Sequence, residues 1–518
     1  MRKLVITILF LTTFTILFGQ TSLSFQHLGN ATFQNNMINP ALIPEGRFFI
    51  GLPVISGIHV NVNNKVSYNE AFTKYSDRVE IDVPKIVGNL QNQNMLSTKV
   101  QVNLLHFGYR LNSGPLLSFV VNERVEGDFL YPKEMVEYIF TEGNFNFLND
   151  DVKISKIGFR ASHFREYGLG IAAPVNDQLT VGLRGKFLVG FANASVPGGA
   201  KVVLNSDGEV FQIDAEWKNA SMRTSGFDIY QKENGYDDSD LQSHLIMNGN
   251  TGFALDIGGT YKLNRYYELQ GSIVDIGFIS WKENIRNHAV ADTSFRYNGV
   301  NLAELENIRQ TMEDSLFSKF ETTENTNPYK GWLPVTAHGS WIYHYSPQTD
   351  FYVTVGSRMV QRQFKMLYGA GVTQKFGRAF TASASVTKLP QQFFNVGAAF
   401  AAKGGPVQMY MAVDQIINFS VPDSKAIDVR FGMNFAFGQR RAKEEASGLS
   451  RSPISGAKGL DTNVFLGKKV KTKKRDGIYS IIKRQKRREL KNKRTQRDND
   501  VKKKSLTGRS GKKNTDNE

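Results

Sequence analysis
The sequence predicts an all-β fold: a transmembrane antiparallel β-barrel of about 14 strands, with an N-terminal lumenal plug, short loop helices and a disordered basic C-terminal tail. Three observations carry this expectation. Between about residues 98 and 438, apolar and polar side chains alternate with period two, as in a ribbon with unlike faces. The alternating segments run about 10–13 residues, close to a bilayer-crossing length and beyond the five or six usual in soluble sheets. The polar face carries full charges, including Arg184, Lys186, Asp256, Lys262, Asp428 and Arg430, which suits a hydrated lumen. A soluble sandwich would bury the same apolar face in its core. Strand length, lumenal charge and aromatics at strand ends (Tyr261, Trp341, Tyr343, Tyr345, Phe435, Phe437) favour the barrel.

The chain begins with Arg2 and Lys3 ahead of an uncharged, mostly apolar stretch over 4–18, then Gly19 and Gln20. Residues 1–20 read as a secretory signal peptide. Residues 21–97 contain too many large apolar side chains for a free tail. Phe48, Ile50, Leu52, Val54 and Ile58 need a partner surface, and the barrel interior supplies one, so 21–97 is expected to form the plug. The alternative is that 47–62 is itself a wall strand. A short helix is expected near 84–90.

Residues 98–438 form the expected barrel. Its spanning candidates are 99–110, 115–125, 152–162, 165–175, 178–190, 251–263, 266–278, 333–345, 350–361, 364–375, 379–388, 391–402, 406–414 and 427–438. The last shows the pattern plainly: Ile427, Val429, Phe431, Met433, Phe435 and Phe437 alternate with Asp428, Arg430, Gly432, Asn434 and Ala436. With both barrel ends in the periplasm, the turns at 175–177, 264–265, 346–348, 376–378 and 403–405 are periplasmic and short. The excursions 191–250 and 279–332 then face outside. The insertion 126–151, with a helix over 134–140, lands against expectation in the periplasm. A second loop helix is expected over 301–320. Asp275, mid-strand beside Gly277, must face the lumen or find a partner, and marks a place where a strand changes face.

Charge is partitioned sharply. The chain has 518 residues and a formal charge of +16, yet residues 439–518 hold 26 Lys and Arg against nine Asp and Glu. That segment alone carries +17, and everything before it −1. Rich in Ser, Gly, Asn and Thr, it is expected to be mostly disordered and periplasmic. Its basic cluster, Lys483, Arg484, Lys486, Arg487 and Arg488, suits anionic lipid, cell-wall carboxylates or an acidic periplasmic protein. Export argues against nucleic acid as a partner.

Catalysis has little support. The absence of Cys removes disulfides, thiolate nucleophiles and Cys-based zinc sites. No Gly-x-Ser-x-Gly, His-Glu-x-x-His or phosphate-binding loop occurs. His338 and His344 share a strand face about 20 Å apart, too far for one metal. The Asp237-Asp238-Ser239-Asp240 run lacks the Gly and spaced Glu of a calcium loop. No catalytic residue, metal or cofactor is expected.

Several stretches fall in the order of a known family. They are Asn39-Pro40-Ala41 with Phe49-Ile50-Gly51-Leu52-Pro53, then Arg165-Glu166-Tyr167-Gly168-Leu169-Gly170. Downstream come Ser272 to Ile279 with Trp281, and the closing run Arg430 to Gly438. Over about 25–438 the chain resembles a Bacteroidota outer-membrane family known only as a domain of unknown function. The Asn39-Pro40-Ala41 turn also resembles the hatch motif of FadL-like long-chain fatty-acid transporters. The resemblance implies a FadL-like barrel in the outer membrane of a Gram-negative bacterium, with outer-membrane lipid around it. It implies a passive conduit or ligand-binding barrel for small hydrophobic molecules held in the lumen. The alternative is a non-transporting scaffold that holds envelope or secretion-machinery partners through the tail or long loops.

Overall fold
The computed structural model describes residues 23–140, 151–206, 213–218, 221–227, 244–246, 248–290, 293–297, 322–361, 363–388, 394–414 and 421–438. The expected signal peptide, the helix over 301–320, the Asp237 patch and the whole basic tail with Lys483, Arg484, Lys486, Arg487 and Arg488 lie outside the described residues.

The strands close into an antiparallel barrel. In chain order the wall consists of β1 (Phe48–Gly51), β2 (Ile58–Asn63), β3 (Gln93–Arg110), β4 (Leu116–Pro132), β5 (Asp151–Pro174), β6 (Leu179–Ser206), β7 (Thr251–Lys262) and β8 (Tyr267–Trp281). It continues with β9 (Thr336–His344), β10 (Thr349–Val360), β11 (Gln363–Phe376), β12 (Phe380–Lys388), β13 (Asn395–Gly404), β14 (Val407–Asp414) and β15 (Ala426–Phe437). β1 and β2 are two halves of one interrupted stave, so the wall has fourteen. Closure comes from that stave. Phe48 pairs with Phe437 on one side and Tyr109 on the other, and Val60 sits between Val429 and Val100.

The expected count of about 14 holds, but two strand assignments change. Residues 48–51 and 58–63 are wall, not plug, so the wall begins near Phe48 rather than at 98. Phe48, Ile50, Val60 and Val62 point outward, while Phe49 turns inward against Phe33. The break at 52–57, where Val54 adopts a positive φ of 66°, cuts the alternation short and hides the stave in the sequence. Conversely, 152–162 and 165–175 are one strand, β5, paired along its length with β6. Register shifts at Ser155/Ile157, Ile157/Phe159 and His163/Phe164 reset the period-two phase, so one bulged strand reads as two. One stave gained and one lost leave the total unchanged.

The corrected order also resolves the misplaced insertion. Turns after β3, β5, β7, β9, β11 and β13 are short and lie at one end, where the chain also enters β1 and leaves β15. Every long connection, including the one after β4 with its helix Lys133–Phe140, lies at the other end. There the helices Tyr68–Ala71 and Val83–Asn89 pack with Val66, Leu90 and Tyr131 in an apolar cap.

Along most of the wall, exposed apolar residues alternate with buried residues, many of them polar. On β10, Val353 and Val355 point out while Thr354 is fully buried. Aromatics frame the outer face. At the turn end Tyr267 stacks on Trp341, Phe376 meets Phe380, and Phe48 meets Phe437. On β11 the exposed Phe364 and Phe376 bracket the apolar band. Twelve residues at about 3.4 Å each, tilted by about 40°, span roughly 30 Å of bilayer normal. Among the described residues no helix is long and apolar enough to cross a membrane.

This outer band makes a direct expectation. Val355→Arg places a charge at mid-band and should destabilise the folded barrel in lipid vesicles by about 2–4 kcal/mol. A change within about 0.5 kcal/mol, read from the urea midpoint, would contradict lipid as the solvent of this face.

Candidate functional site
Among the described residues, buried charge concentrates in the lumen. Residues 23–46 fill its turn-side half. The segment enters as a short helix, Leu23–Gln26, whose four residues are all buried. Ser24 donates through its backbone N and its Oγ to Asp414 Oδ1, at 3.3 and 2.6 Å. His27 stacks on Tyr352 with centroids 3.6 Å apart and lies 2.7 Å from Thr354 Oγ1. Phe33 is layered between Phe49 and His106. Gln34 bonds Asn434 and the Ser56 carbonyl.

The Asn39-Pro40-Ala41 turn rests on the wall where the wall has no side chains. Asn39 Oδ1 accepts from Ala41 N at 3.0 Å, closing an Asx turn. A Cβ on Gly182 would lie 2.2 Å from the Pro40 carbonyl carbon, and one on Gly258 2.1 Å from Asn39 Oδ1. Glycine is required at both, because the backbone of the turn at Gly182 and the Asn39 and Pro40 side chains at Gly258 lie directly on the wall backbone. Arg184 clamps the turn by donating to the carbonyl and side-chain oxygens of Asn36, whose amide in turn holds Pro40 O and Leu42 O.

Above this segment lies a belt of buried charge. Arg124 donates to both oxygens of Asp275 at 2.9 Å, to Glu166 Oε2 at 2.7 Å and to Glu126 Oε1 at 2.6 Å. Lys186 reaches Asp275 Oδ1 at 2.7 Å and Asp256 Oδ2 at 2.9 Å. Asp128 accepts from Arg160 at 2.8 Å and Arg358 at 3.0 Å. Three consecutive inward positions of β4 thus supply Arg124, Glu126 and Asp128, joined by Glu166 of β5, Lys186 of β6, Asp275 of β8 and Arg358 of β10.

Asp275 is delivered by a deformed backbone. It has φ 66°, and the β7–β8 register shifts between Leu255 and Ile257. Val274 and Asp275 both turn inward, so β8 changes face there, and Asp275 N donates to Asp256 Oδ1 at 2.9 Å. A non-glycine residue in this conformation stores strain. The belt's ion pairs oppose it.

Of the residues singled out in the sequence, Arg184, Lys186, Asp256 and Asp275 meet in this belt. Asp428 and Arg430 lie across the lumen, where Asp428 Oδ2 accepts from Asn61 at 2.7 Å and sits 3.1 Å from His59. Lys262 shares a strand face with Asp256 but is exposed at the turn end, apart from the others. His338 is buried toward the lumen, and His344 lies at the turn end, 2.6 Å from Asp350. Sequence reasoning missed Arg124, Glu126, Asp128, Arg160, Glu166 and Arg358. The Arg-x-Glu-x-Asp spacing over 124–128, opposite outward apolar residues, is the signal that marks them. Among the described residues no group of three or more His, Cys, Asp and Glu side chains is placed to hold a metal.

Above the belt the lumen turns apolar, with Phe164, Leu188, Ile279, Trp281, Tyr329 and Leu333 in one cluster. Between belt and plug is a cavity of about 100 Å³, floored by Met37 and Ile38.

Two outcomes follow. Gly182→Val or Gly258→Val should displace the Asn39-Pro40-Ala41 turn, making residues 23–46 sensitive to protease while the barrel keeps its heat-modifiable gel migration. Unchanged protection would contradict the glycine seat. For pH, burial pushes the His27 imidazole down to about 3, with Asp350 opposing and His338 adding. An undocked His27 titrates near its ordinary 6.5. Docking is therefore at full strength above pH 6.5. It weakens by about 1.4 kcal/mol per unit as pH falls toward 3. Protease sensitivity of 23–46 should rise over that window, and less steeply in His27→Gln.

Solved structures with similar folds include the Ralstonia pickettii toluene transporter TbuX, at 10% identity and TM-score 0.37, covering 77% of this chain and 92% of that one. A Pseudomonas aeruginosa FadL homologue matches at 9% identity and TM-score 0.36, covering 81% and 97%. The Pseudomonas putida toluene transporter TodX matches at 10% and 0.35, covering 78% and 91%. At these scores the likeness carries no argument about what passes through this lumen. No curated protein matches the chain. The model of a family of unknown function, DUF5723, matches residues 40–414, and the chain belongs to that family.

Proposed function
We propose that this chain is an outer-membrane barrel acting as a passive conduit or ligand-binding barrel for small hydrophobic molecules, held closed by residues 23–46 as a lumenal plug. The observation that carries the reading is the way the plug is held. Its contacts are hydrogen bonds, ring stacks and close approach to wall glycines. Such contacts release without breaking the wall. The apolar cluster around Trp281 lies on the loop side of the charged belt, so the lumen there is apolar in character.

In this reading the short turns face the periplasm and the long connections face outside. The basic segment after Gly438 then lies on the periplasmic side, and its +17 charge supports a second reading, a scaffold that captures an acidic envelope partner. The roles are compatible in one chain.

Conductance tests the first role. In planar bilayers the full chain should be nearly silent. A chain lacking residues 23–46 should show steady openings, and a silent deletion variant that still forms the barrel would end the conduit reading. For the second, removing 439–518 should leave those openings unchanged while abolishing co-purification of envelope proteins.

A further inference from the structure
We propose that Arg184 is a two-position latch. It is bonded to Asn36 while residues 23–46 are seated, and it closes onto Asp256 of the wall when they leave. The inference rests on the movable plug of the conduit reading and adds the element that regulates its hold.

Arg184 stands between two acceptors, only one of which it fully reaches. Toward the plug, Nη2 donates to the Asn36 carbonyl at 3.0 Å and to its side-chain oxygen. Toward the wall, Asp256 is its direct cross-strand neighbour on β7. Yet Nη1 stops 3.6 Å from Asp256 Oδ2, beyond hydrogen-bond range. The guanidinium is thus drawn off a carboxylate toward a neutral amide, although the Arg–carboxylate fork is the stronger bond. Two atoms record the displacement. Among the described residues Arg184 Nε has no acceptor, and Asp256 Oδ2 has the Lys186 ammonium beside it at 2.9 Å but accepts no aligned hydrogen bond. Both side chains are buried. A buried donor and acceptor left unmet are costly, and the pair formed on release meets both.

Two features allow the exchange. The Arg184 stem lies on bare β5 backbone: a Cβ on Gly168 would sit 3.0 Å from its Cδ, and one on Gly170 3.3 Å from its Nε. Lys186 also competes with Arg184 for Asp256, while its ion pairs all go to the wall, to Glu166, Asp256 and Asp275. Whatever loosens Lys186 from Asp256 frees that carboxylate to take Arg184 from Asn36. The belt thereby sets the hold on the plug.

The test is the sign of each variant's effect on docking. It is read in the full chain in detergent as the rate of protease cleavage within 23–46, with heat-modifiable gel migration reporting the barrel. Asp256→Asn removes the competing charge, so cleavage should slow about threefold or more. Lys186→Gln leaves Asp256 to Arg184 alone, so cleavage should quicken by a similar factor. In the double variant the quickening should vanish. A belt that merely braces the wall gives the opposite sign for Asp256→Asn, since losing a brace loosens the seat. Faster or unchanged cleavage in Asp256→Asn, quickening that persists in the double variant, or no cleavage in any chain would overturn the proposal. If Asp256→Asn does not reach the folded mobility, Asp256→Ser carries the same comparison. A silent plug deletion would overturn the conduit reading and leave these cleavage rates to be read as before.

Discussion
Arg124 is the residue around which the middle of the barrel is organised. Its guanidinium joins three carboxylates from three different staves, β4, β5 and β8, and its plane lies over the Phe164 ring. Charges this deeply buried are tolerated only when each is paired and its remaining donors are satisfied. Here Glu166 also accepts from Asn122, and Asn122 from Asn103, so the network runs on into neutral amides. Removing one member leaves others uncompensated, a loss of about 3–5 kcal/mol for a buried pair. The same requirement explains the irregular wall. Without the bulge opposite Asp256 and the positive φ at Asp275, period-two alternation would turn that carboxylate away from Arg124.

Two consequences follow for the lumen. The belt fixes opposite arcs of the wall to one another, since β4 binds β8 through Arg124–Asp275 and β10 through Asp128–Arg358. A barrel so braced resists flattening and keeps a constant bore, which is what lets a preformed segment seat inside it. The plug can then rely on fixed surfaces: bare backbone at Gly182 and Gly258, and Arg184 held ready beside Asp256. Arg184 belongs to both systems, so the plug's seat and the belt are coupled through one side chain.

The fold was legible in the sequence because a barrel wall states its two solvents at every second residue. Strands as regular as β10 and β15 lie within a residue or two of where alternation places them. What escaped had a common cause. Bulges in β5 and the break between β1 and β2 shift the phase of alternation, and a periodicity argument cannot distinguish a phase shift from an end. The belt was only half legible for another reason. Alternation tells which face Lys186 or Asp256 occupies, but stave order decides which charges meet, and pairs such as Arg124–Asp275 are set by closure across the lumen. Asp275 was conspicuous because a carboxylate has no place on an apolar strand. Arg124 was not, since charges at every second position look ordinary on a lumenal face.

Plug and belt present different barriers to a molecule in the lumen. The plug excludes by volume, filling the turn-side half with Phe25, Phe33 and amide side chains packed against the wall. The belt excludes by solvation. An uncharged apolar molecule crossing it would have to part ion pairs without offering them any replacement, whereas water or an ion restores what it displaces. Removing the plug therefore opens a path for water and small ions before it opens one for apolar cargo. If the barrel conducts apolar molecules as proposed, such a molecule needs the belt to rearrange, or a polar group of its own to take the place of a carboxylate or guanidinium. The rank order of permeants through an unplugged barrel thus reports on the belt.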